Sequence, residues 1–173
     1  MFTQCHETAL EVAAPLLLPI RLRLFRSGDE VSFRRLNEEW IVRHFVLEDK
    51  DREVLGDPMT YILKPGGKIV FAAIGEETVG CCALVPEGPG VYEVAKMAVT
   101  EGYRGRGIGR RILELVIAEA MGLGAERLYL ETNSKLPSAT HLYESVGFRH
   151  IPAERLKPSL YARADVFMEM LLN

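Results

Sequence analysis

Tyr103-Arg104-Gly105-Arg106-Gly107-Ile108-Gly109 is the stretch whose reading decides the fold. It lies between a strand-like run, Val91 to Val99, and an amphipathic segment of helical period, Ile108 to Leu123. Glycines at 105, 107 and 109 remove side chains where the backbone must approach something closely. A helix that begins near Ile108 aims its unpaired N–H groups and positive dipole end at the same place. Arg104, Arg106, Arg110 and Arg111 surround it with positive charge. A bare glycine-rich turn with solvated arginines is the plainer reading, but four arginines at a strand-to-helix junction favour a pyrophosphate cradle. A P-loop needs Gly-Lys-Ser/Thr, which is absent, and the glycine spacing does not complete a dinucleotide fingerprint.

Upstream, Ile20 to Arg26 alternates apolar and basic residues, the period of a half-buried strand. From Asp29, Val31, Phe33, Leu36, Trp40, Ile41, Phe45 and Leu47 recur at helical intervals, which predicts a helix running to about Glu48. The charged segment Asp49 to Gly56 reads as a second short helix. Strand-like runs at Lys68 to Ile74, Glu77 to Val85 and Val91 to Val99, divided by turns, predict an antiparallel meander. Downstream come a strand over Arg127 to Glu131, a helix over Ser138 to Val146, and strands over Phe148 to Ile151 and Ala164 to Leu172. Residues 1–19 read as a tail, and 20–173 as one domain of mixed α and β class.

The 173 residues are 48% hydrophobic and 26% charged, enough to bury a real core. A net charge of -3 gives no basic footprint for nucleic acid. No apolar run approaches the roughly eighteen residues a membrane span takes. Ala13 to Pro19 is short, broken by two prolines and preceded by Glu7 and Glu11, so it is not read as a signal peptide. Cys5, Cys81 and Cys82 form neither a disulfide framework nor a zinc spacing. That usage points to a reduced, cytoplasmic compartment and to no bound metal.

Arg104-x-x-Gly107-x-Gly109 after Val99 resembles the acetyl-CoA motif of the GNAT superfamily, the Gcn-related N-acetyltransferases. Asn133, Ala139, Leu142-Tyr143 and Gly147-Phe148 resemble that family's second landmark, in the same order and at a compatible distance. The resemblance implies a mixed, mostly antiparallel sheet of six to seven strands flanked by about four helices. It also implies a splay between the fourth and fifth strands that holds acetyl-CoA as co-substrate. Met97, Ala98 and Val99 would run along the pantetheine, and Asn133 would contact it. Backbone amides of Arg104, Gly105, Arg106, Gly107, Ile108, Gly109 and Arg110 would hold the pyrophosphate.

By the same resemblance Tyr143 is the general acid toward the departing thiolate and Glu93 the general base, with Glu131 a second candidate. The plainer readings are a packed helix tyrosine and an edge-exposed or paired glutamate. The acceptor is a primary amine of a small molecule or peptide. Trp40, Phe45 and Tyr61 could line its site, and Glu38, Glu39, Glu48 and Asp49 could attract it. His44 and His141 read as surface or capping groups, and Cys81 and Cys82 as small core hydrophobes. A non-catalytic acyl-CoA sensor and a regulator binding another pyrophosphate ligand stay open as alternatives. So does a homodimer, since family members often pair through sheet edges or last strands.

Overall fold

A computed structural model describes residues 19–172. The expected tail, with Cys5 and the Ala13–Leu18 stretch, lies outside the described residues. The first strand, β1 (Ile20–Leu24), ends two residues earlier than expected. Asp29 turns back there, accepting from the Arg26 N–H at 2.6 Å and gripping Arg23 at 2.5 and 2.9 Å. Helix α1 (Glu30–His44) buries Phe33, Leu36, Asn37 and Ile41. It stops four residues short of Glu48, with Phe45 already extended, and α2 (Asp49–Gly56) begins behind a reciprocal cap. The Glu48 side chain meets the helix backbone there, and the Asp51 side chain reaches back to the Glu48 N–H. A π-helical turn over Met59–Leu63 follows, which periodicity had not indicated.

The meander is present as β2 (Lys68–Ile74), β3 (Glu77–Gly88) and β4 (Val91–Val99). β3 runs three residues beyond Val85 because Pro86, read as a break, sits beside a register shift, where a strand tolerates proline. Helix α3 (Ile108–Gly122), strand β5 (Arg127–Thr132), helix α4 (Pro137–Ser145), and strands β6 (Arg149–His150) and β7 (Val166–Leu171) complete the chain. The seven strands run in the order β1-β2-β3-β4-β5-β7-β6, and every pair is antiparallel except β4 with β5.

Because side chains alternate across strands, the sheet carries a core on each face. On one face Ile112, Leu113 and Val116 of α3 pack on Val70, Cys82, Leu84, Leu128 and Leu130. On the other, Phe33, Leu36 and Ile41 of α1 pack on Phe71, Cys81, Ala83 and Ala98. Each such fully buried aliphatic side chain contributes roughly 1.5–3 kcal/mol of burial. The parallel pairing of β4 with β5 covers only Val91, Tyr92 and Glu93 against Arg127, Leu128 and Tyr129. Beyond Glu93 the two strands part, giving the splay that the resemblance implied.

Candidate functional site

The gap between the parted strands is a cavity of about 680 Å³. At one end lies the cradle. Gly105 and Gly107 have φ of +75° and +74°, with open space where a Cβ would stand, so conformation demands glycine there. Close approach operates only at Gly109, where a Cβ would come within 3.1 Å of Leu142 and 3.3 Å of Met97. Gly107 caps α3, and the first helical bond runs from the Arg111 N–H to its carbonyl. Arg104, Gly105, Gly107, Ile108, Gly109 and Arg110 all line the cavity. Arg104 also donates to the Val99 carbonyl at 3.0 Å, and Arg110 to the Ser145 hydroxyl at 2.7 Å. Arg106 is not part of the lining; its guanidinium stacks over the Tyr103 ring at 5.1 Å. Arg111 lies outside as well, near the Ile20 carbonyl.

Met97, Ala98 and Val99 form one wall. Asn133 lies opposite with its amide already engaged: it donates to the Arg163 carbonyl at 2.5 Å and accepts from the Lys135 N–H at 2.8 Å. Tyr143 is buried, its ring edge-on to Phe148 at 6.0 Å. Its hydroxyl reaches β4, 3.7 Å from the Met97 sulfur, a soft and weak partner that leaves the O–H free to donate elsewhere. Burial pushes this phenol above its ordinary value.

Glu93 stands where β4 and β5 begin to separate, with no side-chain hydrogen bond or ion pair among the described residues. Its carboxyl is pushed up to about 7, first by burial, then by the Glu131 and Glu87 carboxylates, with Lys96 pulling the other way. Glu131 also lines the cavity and accepts from the Ser159 hydroxyl. Trp40, His44 and Phe45 also line the cavity, and the buried indole N–H of Trp40 has no partner among the described residues.

Several expected acceptor groups lie elsewhere. Tyr61 sits 4.9 Å from the Lys50 ammonium, outside the cavity. Glu38 and Glu39 pair with Arg34 and Arg35 on α1, and Glu48 pairs with Arg163. Asp49 belongs to the first turn of α2 and is not in the lining either. His44 and His141 are exposed, in keeping with the surface reading, and both also border the cavity. Cys81 and Cys82 are fully buried, and burial pushes the Cys81 thiol up to about 12, as suits core residues.

Sequence reasoning missed a buried charge cluster beside Glu93. The Lys96 ammonium donates to Asp51 Oδ1 and to the Tyr161 hydroxyl, both at 2.8 Å. Arg163 grips the same carboxylate through two bonds of 2.6 and 2.8 Å. Burial alone would raise the Asp51 carboxyl, but the hydrogen bonds and charges of Arg163 and Lys96 hold it below the usual range. The available signal was Lys96 itself, a lone lysine inside the apolar run Val94 to Val99. No cluster of metal-ligating side chains occurs among the described residues, and no helix there is long and apolar enough to cross a membrane.

Known proteins show the same architecture. A Staphylococcus aureus acetyltransferase of the GNAT family superposes with a TM-score of 0.82 at 23% identity, covering 90% of this chain and 100% of that one. A GNAT family acetyltransferase from Elizabethkingia anophelis, solved with acetyl-CoA bound, gives a TM-score of 0.66 at 21% identity over 88% and 98% of the two chains. Among curated sequences, the N-alpha-acetyltransferase RimI of Mycobacterium tuberculosis is 36% identical over 97 residues, 54% of this chain and 60% of that protein. The chain spans 30% to 51% of the length of the first curated relatives it matches. The family model described as acetyltransferase (GNAT) family matches residues 30–148, more than half of the sequence. The match takes in both motifs as well as α1 and the meander, and the chain belongs to the acetyltransferase (GNAT) family.

Proposed function

We propose that the protein is an acetyl-CoA-dependent N-acetyltransferase that acetylates a primary amine of a small molecule or peptide by direct attack in a ternary complex. One observation carries the reading: a carboxyl near neutrality and a buried phenol border the same cavity as the glycine cradle. The residues present fit the co-substrate. The β5-facing edge of β4 beyond Glu93 has no ladder partner, so it offers amide donors and acceptors to pantetheine. The cradle offers backbone N–H groups at the start of α3 to a pyrophosphate. Acetyl-CoA supplies the activated acetyl thioester.

Glu93 takes a proton from the acceptor ammonium, directly or through water, freeing the nitrogen lone pair for the thioester carbon. A base near 7 is half ionised at neutral pH and suited to that transfer. The backbone N–H near Met97 or Ala98 meets the oxyanion. As the carbon–sulfur bond breaks, Tyr143 gives its phenolic proton to the thiolate and is reprotonated by the second proton, which the new amide nitrogen gives up. Similarity to the mycobacterial N-alpha-acetyltransferase supports a peptide acceptor.

The test is acetyl-CoA titration by calorimetry, followed by a thiol-release screen over diamines, amino acids and N-terminal peptides. Micromolar binding with turnover of one amine class is expected. A folded protein that binds no acetyl-CoA refutes the reading. Binding without turnover of any amine favours the acyl-CoA sensor.

A further inference from the structure

Lys96 has φ +51°, and it is the one non-glycine residue with positive φ among the described residues. A side chain in that region costs about 1–3 kcal/mol and persists only where the surroundings over-determine it. Here the surroundings are explicit. β4 bulges at this point, with Cys81 opposite Ala98 and Ala83 opposite Ala95, so Lys96 and Met97 together face Cys82. The Lys96 carbonyl meets the Cys81 thiol at 3.6 Å. With no cis peptide among the described residues, the Met97 N–H points the opposite way.

The Lys96 side chain is 6% exposed and Asp51 is fully buried. The ammonium lies 4.3 Å from the centre of the Tyr161 ring as well as within hydrogen-bond reach of its hydroxyl. Three separate pieces of chain converge on it: α2 through Asp51, β4 through its own backbone, and the 156–165 loop through Tyr161 and Arg163. Glu48 closes the set, binding Arg163 at 3.0 Å and the Ala162 N–H at 3.0 Å. Lys96 and Arg163 balance Asp51 and Glu48, so the cluster is neutral and its charges are satisfied internally.

A buried ion pair is weak evidence for stability, because desolvation offsets most of the attraction, but it can fix one geometry against alternatives. We propose that Lys96 is a positioning residue. Its ammonium clamps the β4 bulge to α2 and to the 156–165 loop, fixing the reactive stretch of β4 and the acceptor end of the cavity as one unit. This inference rests on the acetyltransferase reading for its consequence in turnover, though not for the clamp itself. The loop also holds Ser159 on Glu131 and Arg163 under Asn133, so releasing it loosens the β5 wall as well as the β4 bulge. Acetyl-CoA affinity, set chiefly by the cradle, which the clamp does not touch, is left nearly intact.

The test compares wild type with Lys96→Met and Lys96→Gly. Methionine removes the charge and keeps the φ penalty, whereas glycine removes both, so the pair separates strain from charge. Hydrogen exchange is followed over residues 91–99 and 156–165, alongside kcat and the KM for acetyl-CoA. Both variants are expected to exchange faster in both segments. Their kcat is expected to drop about 10- to 100-fold, the usual consequence of small misplacement, with KM for acetyl-CoA within about threefold of wild type. Unchanged exchange, or a wild-type kcat in Lys96→Gly, overturns the proposal. Should both lysine variants fail to fold, Tyr161→Phe removes one bond from the ammonium without unbalancing charge. Faster loop exchange with a several-fold loss in kcat is then expected, and no change in either overturns the clamp. A wild type that acetylates no amine defeats the acetyltransferase reading instead, and the exchange arm decides the clamp alone.

Discussion

Replacing Glu93 with glutamine removes one titrating site and leaves the shape of the side chain almost unchanged. The carboxyl is lifted from an ordinary 4.5 to about 7 by burial and by the Glu131 and Glu87 carboxylates. As a base it works only when ionised, so roughly half is competent at pH 7 and about one per cent at pH 5. Wild-type kcat/KM should therefore fall about tenfold for each pH unit below 7. Glu93→Gln should lose about 10²- to 10⁴-fold in kcat and that acid limb with it. Stability should move the other way. A group whose folded value is raised stabilises the fold below its unfolded value, and loses that contribution as pH rises through the folded one. Ionised Glu93 thus weakens the fold above pH 7, by at most about 3 kcal/mol at about 1.36 kcal/mol per pH unit. Glu93→Gln should melt several degrees higher than wild type at pH 8 and nearly level with it at pH 4. Thiol-release kinetics and thermal melts across pH 4–9 read both effects. A wild-type acid limb near pH 4.5, or a glutamine variant as active as wild type, refutes the reasoning.

Tyr143→Phe should lower kcat about 10- to 100-fold while the acetyl-CoA Kd from calorimetry stays level. Because the phenol is raised, wild type should show no alkaline limb from this group up to pH 10. Gly107→Trp forces a bulky side chain onto φ +74° at the mouth of the cradle. It should cost about 1–2 kcal/mol of stability by melting and abolish acetyl-CoA binding in calorimetry. Asp51→Asn leaves Lys96 and Arg163 without their shared carboxylate, and denaturant titration should show a loss of about 3–5 kcal/mol.

The glycine-cradle side of the cavity was legible as a shape because its parts are contiguous. One turn and the helix after it carry the cradle, and Asn133 to Phe148 runs from the end of β5 through the single helix α4. The acceptor side was not, because it is assembled from residues far apart in the chain. Arg163 meets Asp51 across 112 positions and Lys96 meets Tyr161 across 65, and no local period encodes such pairings. The acids singled out on α1 were real charges with partners one turn away, whereas the carboxylates that border the cavity are Glu93 and Glu131. The end of α1 was misjudged because Phe45 and Leu47 keep a helical spacing. The carboxylates of Glu48 and Asp51, three residues apart, start a new helix in competition with it. Arg106 illustrates the limit of counting charges: its sequence position is right, but its side chain prefers the Tyr103 ring.

A seven-stranded open sheet ordinarily has two borders, here β1 and β6. The parting of β4 from β5 gives this one four. The two extra borders face each other inside the molecule, and unpaired strand borders are templates on which other chains assemble. Depth protects them: the cavity walls from α3 and α4 admit a slender amide-bearing chain more readily than a second polypeptide. Whatever fills the gap acts as an eighth strand, completing the sheet from within. A ligand that binds there and not to the unfolded chain should raise the melting temperature as its concentration rises.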